Sequence, residues 1–176
     1  MNRVRLTFGF LAASVGTLPA CEPIPQHNLE RVEGPMSALP EEEEGGYLIR
    51  TDFSDDAAWQ ATLAAVVARH GIFLGTFHVV DDPANAGASK DEIVRRLGTG
   101  FAHSYIFLVD SVTLTHPERP VLVVDLYERP LSEFRAVPSE VGAIQINLSL
   151  ANMDFEDFAT VAGSDGIFRG FEARDR

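Results

Sequence analysis

Two almost continuous apolar runs constrain the fold of this chain most strongly. They are SYIFLV at residues 104–109 and VLVVDL at residues 121–126. Runs without apolar–polar alternation are typical of interior strands, which are covered on both faces of a sheet. The connection between them, residues 110–120, contains THPERP and no helical pattern. Because this connection is short for a parallel crossover, we expect the two strands to be antiparallel.

Strand and helix patterns alternate through the rest of the folded part. Further strands are predicted at residues 47–51, 75–80, 133–137 and 167–171. Capping residues followed by helically spaced apolar residues predict helices that begin near Ser54, Ser89, Pro138 and Asp154. These patterns predict an α/β fold, with α+β as the alternative, in the order β-α-β-α-β-β-β-α-α-β. We expect a mixed sheet of about five strands that is packed by about three to four helices.

The segment at residues 139–150 is compatible with two structures. From Ile144 to Leu150 apolar and polar residues alternate, which predicts a strand. Pro138 followed by a serine and a glutamate is typical of a helix start, and apolar residues also recur there at helical spacing. We favour a helix that unwinds near Asn147, and a strand remains the alternative.

The charge composition restricts the classes of partner. The chain has 176 residues, and 26 acidic against 14 basic side chains give it a net charge of -12. Nucleic acids and anionic membrane surfaces repel such a chain, so we expect neither nucleic-acid binding nor membrane contact by the domain itself. A basic protein partner is compatible with this charge. The single cysteine, Cys21, excludes an intrachain disulfide and is consistent with a reducing compartment.

The first residues carry two competing signals. A basic start, an apolar stretch and the sequence LPAC resemble a bacterial lipoprotein signal in which Cys21 is lipidated and anchors the protein to the membrane. Alternatively, the codons for Val-Glu-Gly at residues 32–34 can form a purine-rich ribosome-binding site just before Met36. Translation would then begin at Met36, and the protein would be cytoplasmic. We favour the second interpretation.

The domain organisation follows from the same composition. Residues 1–46 are predicted to be a leader followed by a flexible segment, because residues 22–46 are rich in proline and glutamate and poor in apolar residues. Residues 47–171 are predicted to form one globular domain, and residues 172–176 a tail.

Aspartates follow several predicted strands and raise the question of a metal site. In RTDFSDDAAW, Asp55 and Asp56 are explained by helix initiation, whereas Asp52 is not. Carboxylates at the carboxyl ends of parallel strands can bind Mg²⁺, which prefers oxygen ligands. The candidate ligands are therefore Asp52, Asp82 and Asp125. Against this, aspartate after a strand is commonly a turn or cap residue, and antiparallel central strands would separate Asp125 from the others.

An aromatic segment near the C-terminus is the second candidate site. Met153, Phe155 and Phe158 lie close together in NMDFEDFATVAG, and IFRGF follows at residues 167–171. These side chains could form a patch that contacts a partner. The alternative, which we favour, is that they pack the last helix onto the sheet.

Four segments together resemble one protein family. The segments YLIRTDFSDDAAW, VDDPANAG, VLVVDLYERP and NLSLANMDFEDFA…DGIFRGF are similar to those of a small actinobacterial family of uncharacterised proteins, domain of unknown function 6924. The resemblance covers residues 47–171, and it carries over no catalytic residue, cofactor or substrate. Members of that family begin close to the first strand, which implies a start at Met36.

The absence of catalytic motifs decides between the functional hypotheses. The sequence contains no glycine-rich phosphate loop and no Gly-x-Ser-x-Gly motif. We therefore expect a non-enzymatic module that binds a protein partner, of an immunity-like or regulatory kind. One alternative is a hydrolase that uses Mg²⁺ on Asp52, Asp82 and Asp125. Another is a lipid-anchored envelope protein.

Overall fold

A seven-stranded mixed sheet organises the chain. The computed structural model describes residues 28–32, 36, 39, 45–127 and 131–171. The strands are β1 Leu29–Arg31, β2 Gly46–Arg50, β3 Phe77–Val80, β4 Tyr105–Val109, β5 Val121–Asp125, β6 Glu133–Ala136 and β7 Ile167–Phe168. The helices are α1 Asp56–Val67, α2 Lys90–Leu97, α3 Ser111–Thr115, α4 Pro138–Ser149 and α5 Phe155–Ala159. The predicted α/β class with a mixed sheet is confirmed.

The strands have the spatial order β1-β3-β2-β4-β5-β6-β7. Parallel pairs join β1 to β3, β3 to β2, and β2 to β4. The pair of β4 and β5 is antiparallel, as the short connection predicted. Strand β6 is antiparallel to β5 and parallel to β7, so β5 alone among these strands runs in the opposite direction. We call the edge where β2, β3 and β4 begin the amino edge, and the edge where they end the carboxyl edge.

Two details of the predicted order were wrong. The connection between β4 and β5 contains the short helix α3, which the sequence did not reveal. Its five residues are too few to show a helical repeat, but the Asp110 side chain accepts a hydrogen bond from the Thr113 N–H and so begins the helix. The sheet also has an additional edge strand, β1, ahead of the first predicted strand.

The ambiguous segment is a helix, α4, and it continues past Asn147 to Ser149. It does not unwind where we expected, because side-chain contacts hold its last turn. The Gln145 side chain donates to the Ser149 hydroxyl, and that hydroxyl also lies 2.6 Å from the Tyr105 hydroxyl. Burial of Val141 and other apolar residues on one helical face outweighs the local strand pattern.

Apolar residues cover both faces of the sheet. On the first face, α1 and α4 pack on the sheet through a cluster that includes Trp59 and Phe107. At the other end of the same face, Phe158 of α5 packs against β6 and β7. On the second face, α2 packs through Ile93 and Leu97, and Met36 is buried in the same cluster. None of the helices in the described ranges has the length and apolar character that crossing a bilayer requires.

Strand β1 lies inside the segment that the sequence predicts to be flexible. It pairs in parallel with β3, and the preceding Asn28 is buried. The Asn28 amide donates to the carbonyls of Val67 and Gly75, at 2.9 and 2.8 Å. An edge strand needs few apolar residues when its backbone is paired, so composition did not reveal it. Cys21, the residues up to 27, residues 41–44 and the tail at 172–176 lie outside the described residues.

Candidate functional site

The carboxyl edge has a crevice at the point where the strand order reverses. The chain passes from β2 to β3 on one side and then returns to β4 on the other, and such a switch point is a common ligand site in open α/β sheets. A cavity of about 460 Å³ lies there, with Asp52, Ser54, Gly87, Asp110 and Ser111 in its lining. The topology of the sheet therefore makes this crevice a candidate ligand-binding site.

The carboxylates near this crevice are engaged in local structure. An Asp52 carboxylate oxygen accepts a hydrogen bond from the Ser54 N–H at 2.7 Å. The Asp82 carboxylate accepts from the Ala84 N–H at 2.9 Å and caps a short 3₁₀ turn. These contacts are those of turn and cap residues, which was the alternative to metal binding.

Asp110 is paired with a cation from another strand. The Arg135 guanidinium on β6 donates to both of its carboxylate oxygens, at 3.0 and 2.6 Å. Burial alone would raise the pKa of Asp110, but the hydrogen bonds from Arg135 and from the Thr113 N–H lower it below 3.8. The crevice therefore contains an aspartate that is already neutralised by an arginine.

This pair predicts a pH-dependent contribution to stability. Because the pKa of Asp110 is lowered on folding, its contribution is fully present above 3.8, the ordinary value, and is lost as the pH falls through the lowered value. We expect Arg135→Met to reduce the free energy of unfolding by about 1–3 kcal/mol at neutral pH, and by less in acid. Urea unfolding of both proteins between about pH 7 and pH 3 measures this difference. A difference that stays constant over this range would contradict the assignment.

The three predicted metal ligands do not form one site. Asp52 and Asp82 lie at the carboxyl edge, whereas Asp125 ends the antiparallel strand β5 opposite Tyr105, at the amino edge. Within the part of the chain that the structure describes, no group of three histidine, cysteine, aspartate or glutamate side chains could hold a metal ion. The antiparallel pair is the physical reason, because it sends the end of β5 away from the ends of β2 and β3.

A buried arginine organises the loops beside the crevice, and sequence reasoning missed it. The Arg50 side chain, at the end of β2, is 4% exposed and donates to the Asp52 carbonyl at 2.8 Å. It also donates to the carboxylates of Asp81 at 3.2 Å and Asp56 at 2.5 Å. Its guanidinium lies 4.3 Å from the centroid of the Phe53 ring. The signal in the sequence was a charged residue at the end of an otherwise apolar strand.

A second cavity, at the amino edge, brings together residues from both of the predicted sites. We call it the acid–aromatic pocket. Its volume is about 470 Å³. Its aromatic and apolar walls include Tyr105, Tyr127, Met153 and Phe155, and its acidic groups are Asp125, Asp154 and Glu156. Among the residues that the structure describes, no lysine, arginine or histidine lines it. The pocket therefore combines π-rich walls with three carboxylates.

Asp125 is the unusual member of this pocket. The residue is only 9% exposed, and one of its carboxylate oxygens accepts a hydrogen bond from the Tyr127 N–H at 2.8 Å. Among the described residues, no basic side chain forms an ion pair with it. A buried carboxylate is normally paired, because removing it from water is unfavourable. Asp125 thus offers negative charge to a ligand.

The aromatic candidates divide between the pocket and the core. Met153 and Phe155 are partly buried and line the pocket, with the Phe155 ring 4.9 Å from that of Phe134. Phe158 is 1% exposed and packs inside the first core, so it cannot contact a partner. Sequence reasoning missed Tyr127, whose side chain is 86% exposed at the mouth of the pocket. The signal available in the sequence was a tyrosine directly after the predicted strand at residues 121–126.

The fold and the pocket define an α/β domain with an acidic, aromatic-walled cavity at the amino edge of a mixed sheet. The chain belongs to the family described as domain of unknown function DUF6924, whose model matches residues 46–171. This match confirms the resemblance that the sequence motifs indicated. No curated protein matches the chain.

Proposed function

We propose that this domain is a non-enzymatic module that binds a basic protein, and that the acid–aromatic pocket receives a cationic side chain of that partner. The observation that carries the proposal is Asp125, a buried carboxylate at one side of an aromatic-walled cavity, for which the described part of the chain provides no basic partner. A lysine or arginine that entered the pocket would supply the missing positive charge.

The pocket has the two properties that favour a cation. Asp154 and Glu156 add negative charge beside Asp125, and opposite charges attract more strongly where water is partly excluded. The rings of Tyr127 and Phe155 offer π faces, and a cation over such a face gains about 0.5–2 kcal/mol. Arginine and tyrosine are also common among the residues that dominate protein interfaces.

The charge of the whole chain supports a basic partner. A net charge of -12 attracts a positively charged protein over a long range and raises the rate of encounter at low salt. The hydrolase hypothesis receives no comparable support, because it requires Asp52, Asp82 and Asp125 in one site. The lipid-anchored hypothesis rests on Cys21, which lies outside the described residues.

Short peptides test the pocket directly. We would titrate the protein with two matched peptides, one with a central arginine and one with citrulline, which has the same shape without the charge. Nuclear magnetic resonance would follow the signals of Tyr127 and Phe155. We expect the arginine peptide to bind about tenfold more tightly, since a hydrogen bond to a charged group contributes about 1.5–3 kcal/mol.

Matched variants locate the binding site. Asp125→Asn should reduce the affinity for the arginine peptide about tenfold, because it removes the buried charge but keeps an acceptor for the Tyr127 N–H. Asp52→Asn, at the opposite edge of the sheet, should leave the affinity unchanged. Equal binding of the arginine and citrulline peptides would contradict the proposal, as would an equal loss in both variants.

A further inference from the structure

Two histidines that are distant in the sequence meet on one buried tyrosine. The Tyr47 ring on β2 lies 5.1 Å from the ring of His78 on β3, and 4.9 Å from the ring of His103. Phe101 completes the cluster, with its ring 5.1 Å from both Tyr47 and His103. The sequence showed only scattered histidines, because the three segments that carry these rings come together through the sheet.

The surroundings of the two imidazoles restrict where they can move. His78 is 3% exposed, and its Nδ1 lies 3.6 Å from a carboxylate oxygen of Glu30 on β1. The backbone at Gly45 approaches it so closely that a Cβ there would lie 3.2 Å from Nε2 of His78. Any rearrangement of the cluster must therefore come from the side of His103.

His103 is the member of the cluster whose side chain can move away from Tyr47. It lies in the irregular segment between α2 and β4, and most residues of that segment are exposed. Burial, together with the proximity of His78, lowers the pKa of His103 below the ordinary value of 6.5. The packed arrangement of the cluster thus favours the neutral imidazole.

The same segment forms one wall of a further cavity. Phe101 and His103 line this cavity, whose volume is about 760 Å³, together with apolar side chains such as Leu97 of α2 and Leu126 after β5. The charged groups that face it from α2 are Lys90, Asp91 and Arg95. If Phe101 and His103 left the sheet, the apolar side of this cavity would open to solvent.

We infer that the contact of His103 and Phe101 with Tyr47 is a proton-sensitive latch: protonation of His103 releases the segment between α2 and β4 and opens the apolar cavity. The closed latch binds a proton on His103 less readily than the open latch does. The contribution of neutral His103 to the stability of the closed latch is therefore fully present above about pH 6.5, and it decreases as the pH falls towards the lowered pKa of His103. This inference is independent of the acid–aromatic pocket.

A dye that fluoresces on apolar surfaces, 8-anilinonaphthalene-1-sulfonate, reports the opening. We expect its fluorescence with the full chain to rise several-fold as the pH falls below about 6.5, the ordinary pKa of histidine. The near-ultraviolet circular dichroism of Trp59, which is buried on the other face of the sheet, should not change over the same range. A rise in dye fluorescence that is accompanied by loss of the Trp59 dichroism would show global unfolding and overturn the latch.

Substitutions assign the transition to one residue. His103→Phe keeps a ring against Tyr47 but cannot take up a proton, so it should abolish the rise in fluorescence. The controls are His70→Gln and His116→Gln, which alter histidines outside the cluster and should leave the rise unchanged. If His103→Phe does not fold, the titration of His103 in the unmodified protein decides, measured by nuclear magnetic resonance. A midpoint at or above 6.5 would overturn the inference, and so would an unchanged rise in His103→Phe.

Discussion

Replacing Arg50 with methionine is expected to lower the free energy of unfolding by about 3–5 kcal/mol, which is the usual effect of breaking a buried ion pair by removing one partner. The Arg50 side chain is 4% exposed, and that of Asp81 is 24% exposed. Methionine would preserve most of the buried apolar volume. It would leave the Asp81 carboxylate without its buried cation and the Asp52 carbonyl without its donor.

Urea unfolding measures this effect, and two further variants separate its causes. Arg50→Lys keeps the charge but lacks the planar, multiple-donor geometry of guanidinium, so we expect a loss of about 1–2 kcal/mol. Asp56→Asn alters a partner whose side chain is 85% exposed, and such surface pairs contribute less than about 1 kcal/mol. If Arg50→Met lost no more than Asp56→Asn, the buried network would not have the role that its contacts indicate.

A chain that begins at Met36 is expected to be less stable than one that begins at Gln26, by about 2–4 kcal/mol, because several buried hydrogen bonds disappear together. The shorter chain lacks β1 and Asn28. The carbonyls of Val67 and Gly75 would lose the donor that the Asn28 amide provides. The outer edge of β3 would also lose its paired strand.

Thermal and urea unfolding of the two purified chains compare them directly. Asn28→Ala in the longer chain is the matched control, since it removes both amide hydrogen bonds but keeps β1. We expect it to cost about 1–3 kcal/mol, the usual effect of leaving buried acceptors without a donor. Equal stability of the two chains would mean that β1 contributes nothing measurable to the domain.

Local sequence patterns were sufficient to predict those features of the fold that depend on residues close together in the chain. The short connection after residues 104–109 predicted the antiparallel pair of β4 and β5, and this prediction is confirmed. Asp55 begins α1 by accepting a hydrogen bond from the Ala58 N–H at 2.9 Å, as an aspartate before a helix commonly does. The short motifs also identified the family.

Competing local patterns were decided by burial. Residues 139–150 fit both a strand and a helix, and the helix formed because its apolar face packs beside α1 on the sheet. Likewise, β1 is too short to produce a pattern of its own. It exists because β3 offers an unpaired edge beside it.

The functional features depended on contacts between segments that are distant in the chain. By itself, the sequence determined the α/β class, the antiparallel central pair, the starts of α1, α2, α4 and α5, and the acidic charge. The tertiary structure placed Asp125 at the opposite edge of the sheet from Asp52 and Asp82. There it lines one pocket together with Met153 and Phe155. It also brought His78 and His103 onto one tyrosine. The physical reason is that helix starts and turns form within a few residues, whereas a pocket forms only when strand order and direction bring separate segments together.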